Sequence, residues 1–151
     1  MSDNLDKQII LLIGLPGSGK STYLRRKRIQ PLSTDTLRLW LLDDETDQSQ
    51  QARVFGLLRL LLRIRLQIGR PRNYIDATNL TRRERRPYKL LAKEFGYDLC
   101  AVFFDVPLKV CMRRNRGRKR QVSDDVMEKM AGKLQPPTTK EGFSKITVVR
   151  K

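Results

Sequence analysis

The alternation of apolar and polar stretches along this chain predicts strands and helices in turn. Ile9 to Ile13 is an unbroken apolar run of the length and composition of a strand buried on both faces. Beyond Lys20 the pattern becomes polar and helix-compatible through Arg28. Pro31-Leu32-Ser33-Thr34 reads as a short strand entering a turn, with Ser33 or Thr34 placed to cap a helix from near Asp35. Leu39, Trp40, Leu41 and Leu42 carry that helix's apolar side, and an acidic turn-like segment, 43–48, follows. A long helix is expected over about 49–68, with Val54, Leu57, Leu58, Leu61, Ile64 and Ile68 at helical spacing. Gly69-Arg70-Pro71 ends it, and Asn73 to Ala77 is the next strand. Thr81 and Glu84 form a capping-box pair that opens a helix running to Phe95 and Gly96. Asp98 to Asp105 reads as a strand, and Pro107 as the first turn of a helix reaching about Arg114. Ser123, followed by Asp124 and Asp125, starts a helix through Lys133. Pro136-Pro137 marks a loop, and Ile146 to Val149 is the last strand. This order predicts an α/β doubly wound fold: a parallel sheet, helices on both faces, ligands at the strands' carboxyl ends. The second strand is expected beside the first. No repeat or linker divides the chain, so residues 1–151 are read as one domain.

Between the first strand and the first helix lies Gly14-Leu15-Pro16-Gly17-Ser18-Gly19-Lys20-Ser21, a complete G-x-x-x-x-G-K-[ST] phosphate-binding loop, or Walker A motif. Its glycines let successive N–H groups converge on one anion, and the helix adds its positive end. Lys20 is expected to reach the β- and γ-phosphates of ATP or another NTP, and the Ser21 hydroxyl to ligate Mg²⁺. The fold is therefore of the P-loop NTPase type.

Charge sharpens the picture. Lys and Arg number 32 against 16 acidic residues, a net +16, with no basic tail to hold the excess. A folded surface this basic suits a polyanionic partner such as nucleic acid; a small-molecule acceptor has no need of it. No apolar run approaches the length of a membrane span, and the N-terminus lacks a basic region followed by an apolar one. Cys100 and Cys111 read as buried reduced thiols, which fits a cytoplasmic protein. With no histidine, a histidine base is excluded and a zinc site has too few soft ligands.

A P-loop serves ATPases, GTPases, motors and kinases alike. No guanine-reading N/T-K-x-D loop occurs, and motors generally need more chain. A kinase needs a base, a cation for the acceptor and a cationic cover for the phosphates. Asp35 could accept the proton of an attacking hydroxyl or simply serve a helix dipole. Arg38, one turn on, could hold an acceptor anion or be a solvated surface residue. Asp76 ends an apolar strand where a carboxylate can orient Mg²⁺-bound water, whereas Asn79 fits a turn closed on its own backbone. The densest basic run, Arg113 to Arg120, is read as joining two helices beside the site. Its guanidinium forks suit a lid over phosphate oxygens, or a nucleic-acid patch.

Taken together, GLPGSGKST (14–22), STDTLR (33–38), DDETDQ (43–48), DATN (76–79) and VCMRRNRGRKRQV (110–122) resemble the kinase domain of bacterial polynucleotide kinase–phosphatases, within the P-loop 5′-hydroxyl polynucleotide kinases. The EGF stretch at 141–143 is similar to that family's closing segment. The resemblance implies transfer of the ATP γ-phosphate to a 5′-OH of DNA or RNA in end repair. It implies ATP contacts from Gly14, Gly17, Ser18, Gly19, Lys20, Ser21 and Thr22, and a lid spanning about 113–122. Asp35 would be the base and Arg38 would meet the acceptor's first phosphate. Arg114, Arg118 and Arg120 would engage ATP phosphates, and Ser21 with Asp76 would serve Mg²⁺. Ligase or phosphatase partners are implied as well. Those bacterial proteins carry further domains that this chain has no room for, so a stand-alone kinase or a domain of a longer protein is expected. The alternatives are a small-molecule kinase, for a metabolite or antibiotic, and an ATP-responsive nucleic-acid-binding protein.

Overall fold

The computed structural model describes residues 7–119 and 121–151. Residues 1–6, part of the segment read as lacking a leader, and the expected phosphate ligand Arg120 lie outside the described residues. Strands β1 (Gln8–Ile13), β2 (Leu32–Ser33), β3 (Arg72–Asp76), β4 (Asp98–Phe104) and β5 (Phe143–Val149) form one sheet in the order β2-β3-β1-β4-β5. Every neighbouring pair is parallel. The second strand is thus not beside the first; β3 lies between them, with Ser33 paired to Asp76 and Leu11 to Ile75. Two residues of β2 pair with only the carboxyl end of β3, which is enough to carry the following helix to the cleft.

The helices are α1 (Lys20–Arg26), α2 (Thr34–Leu42), α3 (Gln51–Ile68), α4 (Arg82–Phe95), α5 (Leu108–Arg116) and α6 (Asp124–Lys133). Alternate side chains of β1 serve opposite faces, which is why its sequence is apolar throughout. Ile9, Leu11 and Ile13 pack with Val54, Leu58 and Leu62 of α3 and with Tyr88 and Leu91 of α4. Ile10 and Leu12 pack with Leu24 of α1 and with Val102 and Phe104 of β4. A third cluster joins Leu15 and Leu80 to Cys111 of α5 and Met127 of α6, so these two helices rest on the loops above the sheet.

Several boundaries move for local reasons. The buried row of α3 is Val54, Leu58, Leu62 and Leu66, spaced by four, while Ile64 and Ile68 face outward. Apolar residues surround so much of this helix that spacing alone does not single out the core row. Arg113, Arg114 and Arg116 occupy the last turn of α5, where cations suit the helix dipole, rather than a joining loop. Pro107 is the residue before that helix, not its first turn. Thr81 does cap α4 by accepting from the Glu84 amide, but the Glu84 carboxylate meets the Thr81 hydroxyl instead of the cap backbone. A full capping box forms elsewhere, between Thr138 and Glu141 at a short 3₁₀ turn, and the last strand begins at Phe143, ahead of Ile146.

Candidate active site

A cleft of about 1450 Å³ opens at the carboxyl ends of β1, β2 and β3. It brings together the P-loop, Asp35, Arg38, Asp76, Arg114 and Arg118, which are far apart in sequence. Gly17 lies at φ +81°, and a Cβ there would stand 2.5 Å from the Cys111 carbonyl oxygen. The absence of a side chain is what lets α5 dock against the phosphate-binding loop. A Cβ on Gly14 would lie 2.6 Å from the buried Ser18 Oγ. Gly19, at φ +109°, precedes α1 and places no capping side chain over that helix's first N–H groups.

The Lys20 ammonium folds back along the loop, donating to the carbonyls of Gly14 (2.7 Å) and Leu15 (2.9 Å). Burial brings its pKa down to about 8. The Asp76 carboxylate pulls the other way, Arg118 adds to the depression, and Asp35 opposes it more weakly. These influences place Lys20 within electrostatic reach of both expected carboxylates and of one lid arginine. Ser21 and Asp76 offer hard oxygen donors, which suits Mg²⁺ shared with phosphate oxygens. No group of three or more His, Cys, Asp or Glu positioned for a metal occurs among the described residues.

Asp35 sits in the first turn of α2, behind the Ser33 cap, whose hydroxyl accepts from the Thr36 amide. Arg38 follows one turn later and is buried, at 6% exposure, so the solvated-surface reading does not hold. Its Nη1 donates to Asp35 Oδ1 at 2.9 Å. Its Nε and Nη2 donate to Gln51 Oε1 at 3.2 and 2.8 Å. Three contacts hold the fork rigid, yet Nη1 and Nη2 each keep a further N–H for the cleft that Arg38 lines. Gln51, first residue of α3, is a site residue the sequence reading missed, because nothing in its neighbourhood marks it.

The DATN loop is tied to the P-loop strand. The Gly14 amide donates to the Thr78 carbonyl at 3.1 Å, and Asn79 Nδ2 donates to the Leu12 carbonyl at 2.7 Å. Asn79 is buried at φ +49° and also bonds the Ala77 carbonyl, the turn role expected of it. From below, buried Arg85 donates to the carbonyls of Asn79 and Leu80 and, through Nε and Nη2, to both Glu141 oxygens. Burial pushes the Glu141 carboxyl upward, but the Arg85 and Thr138 hydrogen bonds outweigh it, leaving its pKa below the ordinary value. Arg85, Tyr88 and Ala92 share the buried face of α4 at helical spacing. That periodicity was the available signal for Arg85 among its three arginine neighbours.

Arg114 Nη1 stands 3.9 Å from where a Gly19 Cβ would be and donates to the Lys151 carbonyl at 3.2 Å, so it lies over the phosphate loop. Arg118 lines the cleft from the segment after α5. That segment is closed at its base by Asn115, whose side chain accepts from the Val122 amide and donates to the Val122 carbonyl. Arg116 pairs with Asp124 at 3.2 Å. The thiols of Cys100 and Cys111 are free and buried, and burial raises both. Among the described residues, no helix is long and apolar enough to cross a membrane.

Comparison with known proteins bears on the family and the fold. Residues 9–137 match the AAA_33 family, described as an AAA domain. The chain is 26% identical over 145 residues to L-seryl-tRNA(Sec) kinase of Methanococcus maripaludis, covering 87% of this chain and 54% of that protein. A structure of the Pnkp1/Rnl/Hen1 RNA repair complex superposes with a TM-score of 0.72 at 24% identity, over 85% of this chain and 44% of the other. A gluconokinase from Sinorhizobium meliloti 1021 superposes at 0.64 with 16% identity, over 96% and 83%. The chain therefore spans about half the length of the archaeal relative and less than half of the repair-complex chain. With a complete phosphate loop and a family model covering most of its length, the chain belongs to the AAA_33 family, among the P-loop kinases.

Proposed function

We propose that this protein transfers the γ-phosphoryl group of ATP to a 5′-hydroxyl of DNA or RNA. The observation that carries the proposal is the Asp35–Arg38 pair, fixed 2.9 Å apart on the floor of the cleft that the P-loop walls. Arg38 holds one oxygen of the carboxylate and so sets its orientation. Asp35 takes the hydroxyl proton as the acceptor oxygen bonds to the γ-phosphorus in line and the bond to the ADP oxygen breaks. The remaining N–H groups of Arg38 are placed for the acceptor's first phosphate. Lys20, Arg114 and Arg118 offset the charge gathering on the transferred group. Ser21, with Asp76 acting through water, would hold Mg²⁺, which draws charge from the phosphoryl oxygens when bound.

A basic cleft and a net charge of +16 support a nucleic-acid acceptor. The likeness to L-seryl-tRNA(Sec) kinase favours a second reading, in which the hydroxyl belongs to an amino acid carried by a tRNA. The same base and the same donor site would serve it. Wild type and Asp35→Ala, each supplied with γ-labelled ATP, distinguish these readings. Transfer to 5′-OH oligonucleotides should fall by about 10²-fold or more in the variant, the scale of a lost general base, with ATP affinity retained. Label on seryl-tRNA alone would replace the acceptor, and unchanged turnover would remove Asp35 from its role.

A further inference from the structure

Beyond Arg38 the cleft continues along two helix faces. Gln51, Phe55 and Arg59 line it from α3, spaced by four and hence on one side of that helix. Arg83, Glu84 and Pro87 line it from the beginning of α4. The α3 row starts at the acceptor floor, because Gln51 is the residue that grips Arg38. From Gln51 to Arg59 is a rise of about 12 Å, the length of about three stacked nucleotides.

The residues on these faces are unlike their neighbours. Arg63 is bound to Glu94 at 2.7 Å, Arg65 to Asn73 at 2.7 Å, and Arg85 to Glu141. Arg59 and Arg83 have no hydrogen-bond or ion-pair partner among the described residues, and both face the cleft. The Glu84 carboxylate beside them is turned to the Thr81 hydroxyl. Phe55 is half-buried and joins none of the three apolar clusters of the described residues. Its ring is therefore an aromatic surface in a cleft, not a core side chain. The buried Tyr88 hydroxyl, with no hydrogen-bond partner among the described residues, senses the charge of both Arg59 and Glu84, which brings the outer end of the α3 row close to the first turns of α4.

We propose that Phe55, Arg59 and Arg83 form a single-strand track that holds the nucleotides following the acceptor end. A nucleobase stacks on Phe55, and a phosphodiester sits between Arg59 and Arg83. The assignment rests on the reading of a nucleic-acid acceptor and adds the part of the strand that the protein grips away from the reacting hydroxyl. Stacking on an aromatic ring is sequence-tolerant, since every base has a π-face, and arginine forks suit phosphodiester oxygens.

The test is binding of a fluorescein-labelled single-stranded oligonucleotide, by anisotropy, across a salt series. Wild type is compared with Phe55→Ala, Phe55→Tyr, Arg59→Ala and Arg83→Ala, each checked for an unchanged thermal melt and unchanged ATP affinity. Phe55→Ala should weaken binding about tenfold, the low end of stacking losses, and Phe55→Tyr should restore it. Each arginine variant should lower the slope of log K against log salt by about 0.7. Losses of this kind without any phosphoryl transfer by wild type would keep the track and discard the kinase reading. Transfer by wild type with unchanged affinity and salt slope in all variants would overturn the track and keep the kinase reading. No binding by wild type would overturn the track as well.

Discussion

Two buried arginines flank the cleft, and they have been given opposite tasks. Arg38 and Arg85 are both almost fully enclosed, and each meets an acidic side chain. Arg85 is consumed by the fold: Glu141 takes one edge of its fork and the carbonyls of Asn79 and Leu80 take Nη1. Glu141 is itself mostly covered, at 12% side-chain exposure. Arg38 is held at three points, yet its partner Asp35 is 41% exposed by side chain and both line the cleft. A guanidinium with four of its five N–H groups taken by protein acceptors fixes a loop. One with N–H groups left over, beside a solvent-reachable carboxylate, can act on a ligand. The charges are the same in the two places; what differs is the exposure of the carboxylate and how much of the fork remains unspent.

Removing each arginine should separate the tasks. Arg85→Leu leaves Glu141 buried without its cation, a change that costs about 3–5 kcal/mol in buried pairs. Urea denaturation should show that loss, whereas the folded fraction should keep its acceptor KM. Arg38→Ala should do the reverse. Acceptor KM should rise roughly 10–100-fold, the scale of a lost hydrogen bond to a charged group, with a smaller fall in stability because water can reach Asp35. Arg38→Lys should not restore the KM, since an ammonium cannot span Asp35 and Gln51 as the fork does.

Acid provides a finer contrast. Glu141 has a folded pKa below its ordinary value, so the stability it contributes is complete above the unfolded value and is lost as pH falls through the folded one. In Arg85→Leu, burial acts on Glu141 without the arginine. Mild acidification should then destabilise the variant less than it destabilises wild type, readable as a shallower slope of the urea midpoint with pH.

The smallest effect is expected at alkaline pH. Lys20 has a folded pKa of about 8 against an ordinary 10.5, so between those values the unfolded chain binds more protons and stability should rise with pH. ATP binding should go the other way. It needs the ammonium, so its affinity should decline as pH passes about 8, with proton uptake on binding that calorimetry in buffers of different ionisation enthalpy would detect.

The donor half of this cleft was legible in the sequence because backbone builds it. Gly14, Gly17 and Gly19 are dictated by close approach and positive φ, and such needs leave a pattern in residue type. The acceptor half is made of side chains contributed by separate helices. Asp35 and Arg38 were visible as a helical i, i+3 pair, but Gln51, Arg59 and Arg83 became site residues only when α3 and α4 folded over them. Arg85 looked like its neighbours Arg82, Arg83 and Arg86 until the buried face of α4 was known. The order of strands was misjudged at β2 because two residues carry no register signal. The parallel α/β class survived that error, since it depends on alternation rather than adjacency.

The most direct measurement is transfer of label from γ-labelled ATP to one oligonucleotide prepared in two forms, with a 5′-hydroxyl and with a 5′-phosphate, as both DNA and RNA. The account predicts label at the 5′ end of the hydroxyl form and none on the phosphorylated form. Label on neither form, with seryl-tRNA or a small molecule phosphorylated instead, would contradict it.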